Sequence, residues 1–203
     1  MTYLDLAIEF AELVRPHCVR VEVGGSIRRG KPDPKDIEIV AAPDVRLTEV
    51  GRRLFDPPEL RSVDMLDRFL DRLVIAGTIE RGRAWGPRYK QVLYKGAPVD
   101  LFSVLPPAQW GVIFAIRTGS AEFGKLLVTS RLQGGFMPPD MRVAGGVLWR
   151  EGGAVETPEE EDYFREIGVP CWPPEERSVE RLNAWRRGQP VPVLTSEGGL
   201  GID

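Results

Sequence analysis

The chain is short of the residues that carry thiol and imidazole chemistry. Its 203 residues include two cysteines, Cys18 and Cys171, and a single histidine, His17. Two cysteines cannot build a disulfide framework, and neither has a partner at zinc-ligand spacing. His17 adjoins Cys18, but adjacent side chains point in different directions and no third group is placed to orient a nucleophile–base pair. There is no apolar run of the ~18 residues that would span a bilayer. The amino terminus shows no leader pattern, so a cytoplasmic chain is expected. Excess positive charge is also missing: 27 Lys and Arg against 30 Asp and Glu leave a net charge of -3. That balance speaks against binding to nucleic acid through whole-chain charge. No internal repeat or low-complexity tract occurs.

The informative chemistry is concentrated in one stretch. Gly24-Gly25-Ser26-Ile27-Arg28-Arg29-Gly30 is followed by Asp36-Ile37-Glu38 on an apolar run. Val21-Glu22-Val23 before the glycines and Ile37, Ile39 and Val40 around the acids read as strands. A small-residue turn of phosphate size and a short helix start lie between them. Residues two apart on a strand share a face, so Asp36 and Glu38 point the same way. Paired acids beside an anion-binding turn suit metal-assisted chemistry on a phosphorylated substrate. A third acid, Asp100, stands alone among Val99, Leu101 and Phe102, on a strand joined to Gln91–Tyr94 by a Lys95–Pro98 turn. A carboxylate in apolar company needs a partner, a hydrogen bond or a metal. With Asp36 and Glu38 it makes the three carboxylates a two-metal phosphoryl-transfer site requires.

Elsewhere the reading is mostly of packing. Leu4, Ala7, Phe10, Ala11 and Val14 recur at helical spacing in Tyr3–Val14. Pro58–Ile75 reads as one amphipathic helix through Leu60, Val63, Leu66, Phe69, Leu70 and Leu73. Gly77–Lys90 interleaves Arg81, Arg83, Arg88 and Lys90 with Trp85 and Tyr89, a mixture that suits stacking and phosphate contact as well as it suits a soluble hairpin. Ala108–Ile116 is apolar and should pack. Ser120 is the expected N-cap of a helix over Ala121–Arg131, where the small residues Thr118 and Gly119 could approach a phosphate or sugar. Gly145-Gly146 marks a hairpin. Thr157 with Pro158 and the following glutamates marks a helix start, its acids serving the helix dipole rather than catalysis. The tail 179–203 reads as one short helical piece and then a poorly ordered appendage.

In order and spacing, Gly25-Ser26-x-Arg28-Arg29-Gly30, Asp36-x-Glu38, Asp100 and Ile116-Arg117-Thr118-Gly119-Ser120 resemble the polymerase beta superfamily of nucleotidyltransferases, and among these the family X DNA polymerases. The likeness runs over about residues 3–178, ending at Pro173-Pro174-Glu175-Glu176-Arg177. It implies an α+β fold: a palm over 1–105, built on a mixed sheet with helices on one side, and a small α/β thumb over 106–178. It also implies that Asp36, Glu38 and Asp100 hold two Mg²⁺ ions, with Mn²⁺ as an alternative, and that Asp100 helps activate the attacking 3′-hydroxyl. Gly25, Ser26, Thr118 and Gly119 would meet the nucleoside triphosphate, and Arg29 would neutralise its charge. Arg83, Arg88 and Lys90 would touch DNA, and a monomer working on a gapped primer–template, with no membrane partner, is expected. The amino-terminal DNA-binding modules of that family are not expected before Tyr3.

Three departures bear on function. Glu38 stands where the family carries a second Asp. Ile116 and Arg117 replace the Tyr-Phe that crowds the sugar 2′ position, and Gly124 falls where an Asn meets the incoming base. The expectation is therefore a template-dependent DNA polymerase, used in gap filling or repair, with weak sugar discrimination. The alternatives are a nucleotidyltransferase acting on a small molecule, a protein or an RNA end, and a non-catalytic nucleic-acid-binding protein on the same fold. On the first reading, parallel single-nucleotide incorporation assays should show rNTP and dNTP used within about 10²-fold of each other. Rejection of rNTP by about 10³-fold or more would contradict the reading of Ile116 and Arg117.

Overall fold

The structure, a computed structural model, describes residues 1–50, 59–188, 193–194 and 200–201. In chain order the first half holds α1 (Tyr3–Val14), β1 (Cys18–Val23), α2 (Gly25–Arg28), β2 (Ile37–Pro43), β3 (Val45–Val50), β4 (Glu59–Asp64), α3 (Met65–Ile75), β5 (Ile79–Trp85), β6 (Tyr89–Tyr94) and β7 (Ala97–Ser103). The second half holds α4 (Trp110–Thr118), α5 (Ala121–Val128), β8 (Met141–Ala144), β9 (Val147–Arg150), β10 (Gly153–Val155), α6 (Glu160–Ile167) and α7 (Val179–Arg186), then the short pair β11 (Val193–Leu194) and β12 (Leu200–Gly201). The fold is α+β with a mixed sheet. It divides into two units, Met1–Val23 with Lys35–Leu105, and Gly24–Pro34 with Pro106–Asp203.

The first unit is built on a five-stranded sheet of order β1-β2-β7-β6-β5. Only β2 and β7 are parallel; the other neighbours are antiparallel. A parallel pair needs a long crossover, and the chain supplies it through β3, β4, α3, β5 and β6 before returning as β7. One sheet face is apolar and buried: Val21, Ile37, Ile39, Ala41, Ile79, Val92, Tyr94, Val99 and Leu101. Helices α1 and α3 cover it. Leu6, Ala7, Phe10, Ala11 and Val14 form the buried stripe of α1, with the Phe10 ring 5.2 Å from that of Tyr94. A capping box starts α1, Thr2 Oγ1 accepting from Asp5 N–H while Asp5 accepts from Thr2 N–H. Leu66 and Leu70 are the buried residues of α3.

The single helix expected over 58–75 is a strand and a helix. Leu60 and Val63 lie on β4, paired with Glu49 and Arg46 of β3, and Pro58 lies outside the described residues. The physical reason is Asp64, whose side chain accepts the Asp67 N–H at 2.9 Å and so caps α3 at Met65. Leu60 and Val63, three apart, fit a helical period, but on the strand they point to opposite faces and Leu60 is exposed.

The second unit packs α4, α5, α6 and α7 with the three-stranded sheet β10-β9-β8. Its core includes Val112, Ala115, Phe123, Leu127, Phe136, Leu148, Tyr163, Phe164, Ile167 and Leu182. One division of the chain falls after Leu105, and Gly24–Pro34 groups with this unit. Ser120 caps α5 as expected, yet the helix stops at Val128 and Arg131 falls in the turn beyond. Gly145 and Gly146 make the β8–β9 turn at φ +63° and +80°, a region open to glycine. Thr157 does not cap α6. It is fully buried and its N–H and Oγ1 both bond Gln109 Oε1, so the helix starts at Glu160 behind a Glu159–Asp162 capping box. The tail contains the expected helical piece, α7, and it packs on the core through Leu182 and Trp185. Most of the chain after α7, expected to be poorly ordered, lies outside the described residues.

Leu101 is fully buried at the centre of the sheet. Leu101→Ala should cost about 2–5 kcal/mol in denaturant unfolding. Leu132→Ala, at an exposed position, should stay within about 0.5 kcal/mol.

Candidate functional site

Strand alternation sorts β2 and β7 into two faces. Ile37, Ile39, Val99 and Leu101 go to the buried face, which forces Glu38 and Asp100 to the other. The parallel register sets Glu38 directly beside Asp100. Neighbouring strands lie about 4.8 Å apart, so these two carboxylates leave the sheet side by side. Asp36, two residues ahead of Glu38, lies just before the strand. All three acids are half-buried. Asp100 is not stranded in apolar surroundings: Tyr89, on the adjacent β6, donates its hydroxyl to Asp100 Oδ1 at 2.9 Å. The Tyr89 ring is stacked on Phe102 at 5.0 Å, which fixes the hydroxyl in that position. Sequence reading placed Tyr89 in a basic–aromatic hairpin and missed this role, because the β6–β7 register is not written locally.

Three hard carboxylate donors suit Mg²⁺ or Mn²⁺ better than a soft metal. Among the described residues, the group of three whose ligand atoms lie within 4.8 Å of one another is instead Glu160, Glu161 and Cys171. That group does not suit a cation, because Glu160 is already held by two arginines. Asp36, Glu38 and Asp100 do not form such a group.

In the second unit the Gly-Ser turn meets the Thr-Gly turn, motifs some ninety positions apart in sequence. Gly25 adopts φ +59°, which a side chain would disfavour. The Ser26 hydroxyl is buried and has no hydrogen-bond partner among the described residues. Arg29 donates to the Thr118 carbonyl at 2.5 Å. Arg28 donates to Thr118 Oγ1 at 2.7 Å and forks onto Glu160, with its two nitrogens at 2.9 and 2.6 Å from the carboxylate oxygens. Its guanidinium also lies 4.0 Å from the centre of the Phe114 ring. Arg177, only 1% exposed at its side chain, reaches the same carboxylate at 2.8 Å. Gly25, Ser26, Arg29, Thr118 and Gly119 are thus brought together, while the acids lie in the first unit. Burial would raise the Glu160 pKa, but hydrogen bonds and charge from Arg28 and Arg177 more than offset it and hold the group at about 2. Glu160, expected to serve only the helix dipole, is the buried anchor of this cluster.

The other expected residues have varied settings. Ile116 is half-buried and Arg117 exposed at the end of α4. Gly124 packs on α4 so closely that an added Cβ would sit 2.9 Å from the Ile116 carbonyl oxygen, which explains why no Asn stands there. Arg83 and Arg88 are exposed on the β5–β6 hairpin. Lys90, expected to touch DNA, is corrected: it is 2% exposed, pairs with Asp67 and donates to the Gly86 carbonyl at 2.8 Å. Strand alternation turns it inward toward α3. His17 stacks on Phe69 at 4.0 Å. Cys18 gives its thiol to the Val14 carbonyl, and burial pushes its pKa up to about 12, which leaves no reactive thiolate.

The chain matches no protein-family model and no curated protein.

The Glu160 cluster makes its own prediction. Its folded-state pKa lies below the ordinary 4.5, so its contribution is present above about pH 4.5 and lost as pH falls toward 2. The amount is on the order of 3 kcal/mol. Glu160→Gln should remove this acid-side slope from stability curves measured between those limits. At neutral pH the same change should cost about 3–5 kcal/mol, because Arg177 is left buried and unpaired. An acid titration of Glu160→Gln that matches the parent chain would refute the assignment.

Proposed function

We propose that the chain is a metal-dependent nucleotidyltransferase, and specifically a template-dependent DNA polymerase of minimal family X type with a polymerase beta-like palm. The observation that carries this reading is the parallel β2–β7 register, which sets Glu38 beside Asp100, with Asp36 one residue before β2. Two hard carboxylates side by side on a sheet face, with a third just ahead of the strand, fit a divalent-cation site. The bound ions would neutralise phosphate charge and make the 3′-hydroxyl more acidic.

The remaining work falls to the protein's own groups. Asp36, Glu38 and Asp100 hold the cations, and Asp100 assists removal of the 3′-hydroxyl proton as that oxygen attacks the α-phosphate and pyrophosphate leaves. Tyr89 fixes the carboxylate rotamer of Asp100 through its hydroxyl. Ser26, whose buried hydroxyl has no hydrogen-bond partner among the described residues, and Gly25, without a Cβ, suit close approach of a phosphate. Arg29 adds positive charge, and its bond to Thr118 limits its rotamers. Positioning and charge neutralisation make up most of the catalysis such a transfer needs. Exposed Arg83 and Arg88 beside Trp85 suit a phosphate backbone, so DNA affinity should fall with salt. No described helix is long and apolar enough to cross a membrane. We place the enzyme in the cytoplasm as a monomer acting on nucleoside triphosphates and gapped primer–template. A second unit carrying the Thr118–Gly119 turn, joined to Arg28 and Arg29, favours this reading over a small-molecule acceptor.

Primer extension with Mg²⁺ on a gapped duplex and on a single-stranded primer tests the proposal. Template-matched extension is expected. Asp100→Asn should lower it by at least about 10²-fold, with the thermal midpoint unchanged. Untemplated addition alone would make the protein a terminal transferase. No extension by protein that binds Mg-NTP would move the acceptor to a small molecule, a protein or an RNA end.

A further inference from the structure

The second unit contains a cavity of about 510 Å³ lined by Arg131, Gly135, Phe136, Gly168, Trp185 and Arg186. Two of these residues come from α7, which lies beyond the stretch that resembles the polymerases. Both arginines are held in place by backbone carbonyls alone. Arg131 donates to the Phe136 carbonyl at 3.1 Å and to that of Ile167, the last residue of α6, at 2.6 Å. Arg186 donates to the carbonyls of Gly134 and Gly135 at 2.8 and 2.7 Å, and its guanidinium lies 4.0 Å from the Phe136 ring centre.

These bonds explain why the side chains are fixed but leave their charge uncompensated. Five other arginines of this unit, Arg28, Arg150, Arg165, Arg177 and Arg181, pair with carboxylates. Among the described residues, Arg131 and Arg186 have none. A guanidinium has five N–H donors, so each keeps spare donors after its carbonyl bonds. Two exposed guanidinium groups, each tied to two carbonyls and without a carboxylate partner among the described residues, suit a phosphate, which they can grip at reduced ordering cost. The same cavity carries the half-buried Trp185, braced by Phe136 at 6.0 Å and by Trp172 at 6.4 Å. A braced indole beside fixed arginines is what a stacked base requires. Gly168, the left-handed C-cap of α6, lines the cavity beside Arg131. The volume falls within the ~300–1,000 Å³ of small-molecule sites.

We propose that this cavity binds one phosphorylated nucleotide unit, with its base against Trp185 and its phosphate on Arg131 and Arg186. The unit is either a free mononucleotide or the end of a nucleic-acid strand. This site is separate from the acid cluster and does not depend on the polymerase reading.

The test tracks the Trp185 indole N–H resonance of the full chain, identified by its loss in Trp185→Phe. The chain carries Asp100→Asn and no divalent metal is added, so failure of the acid cluster cannot imitate failure here. The probes are dAMP, a 5′-phosphorylated tetranucleotide, deoxyadenosine and inorganic phosphate. The resonance should shift with dAMP or the tetranucleotide, and binding should be at least about tenfold weaker for deoxyadenosine and for phosphate alone. Arg131→Gln should weaken dAMP about tenfold, whereas Arg186→Lys, which keeps the charge, should weaken it less. A tetranucleotide tighter than dAMP identifies a strand end as the ligand; equal affinities identify a free nucleotide. The proposal is overturned by no shift at ~10 mM of either phosphorylated probe. It is equally overturned by deoxyadenosine matching dAMP, or by folded Arg131→Gln binding dAMP as the parent chain does.

Discussion

A single buried carboxylate organises the second unit. Glu160 opens α6 with its side chain inward, where water cannot solvate it, and two guanidinium groups reached from distant parts of the chain take the place of water. Arg28 arrives from the Gly24–Pro34 segment and Arg177 from the turn before α7. The two arginines are not equivalent: Arg28 forks onto both carboxylate oxygens and reaches the Thr118 hydroxyl, whereas Arg177 meets Oε2 alone and holds the Trp172 carbonyl. Buried ion pairs add little net stability compared with apolar packing, but they discriminate sharply against other arrangements. Here the arrangement selected is one in which the Gly25–Ser26 turn and the Thr118–Gly119 turn share hydrogen bonds.

The first unit is governed by a steric rule rather than by a charge. Side chains alternate across a strand, so burying Ile37, Ile39, Val99 and Leu101 under α1 and α3 leaves Glu38 and Asp100 no place but the opposite face. The parallel register then makes them neighbours. Rigidity matters for such a site because sheet positions hold carboxylates more precisely than loop positions. Tyr89 contributes in the same way, held by its ring against Phe102 while its hydroxyl restrains Asp100.

How much the sequence reveals depends on how local each signal is. The strands around Asp36, Glu38 and Asp100 are legible because β-branched residues and period-two alternation are local. The Ser120 cap and the Gly145–Gly146 turn are legible for the same reason. Asp64 was overlooked as a cap because Leu60 and Val63 continue the helical period across it. Thr157 has every local mark of an N-cap, yet Gln109, nearly fifty residues earlier, claims its hydroxyl and amide. Lys90 and Glu160 show the limit most clearly. A charged residue normally reads as solvated, and only the tertiary partner, Asp67 in one case and two arginines in the other, reveals that it is inside. The partnering of β2 with β7 is likewise beyond local reading, since pattern alone does not say which strands pair.

The division of the chain also has a consequence for synthesis. Gly24–Pro34 leaves the ribosome early, flanked on both sides by sequence of the first unit. The acid that Arg28 must meet comes 132 residues later, and Arg177 later still. The first unit can therefore complete its sheet once Ser103 has emerged, while it carries a looped-out segment that belongs elsewhere. Nascent chains halted between Leu105 and Glu160 hold Arg28 without the carboxylate that pairs with it in the folded chain. The second unit cannot close around its anchor until both Glu160 and Arg177 have emerged, which places α6 late in its assembly.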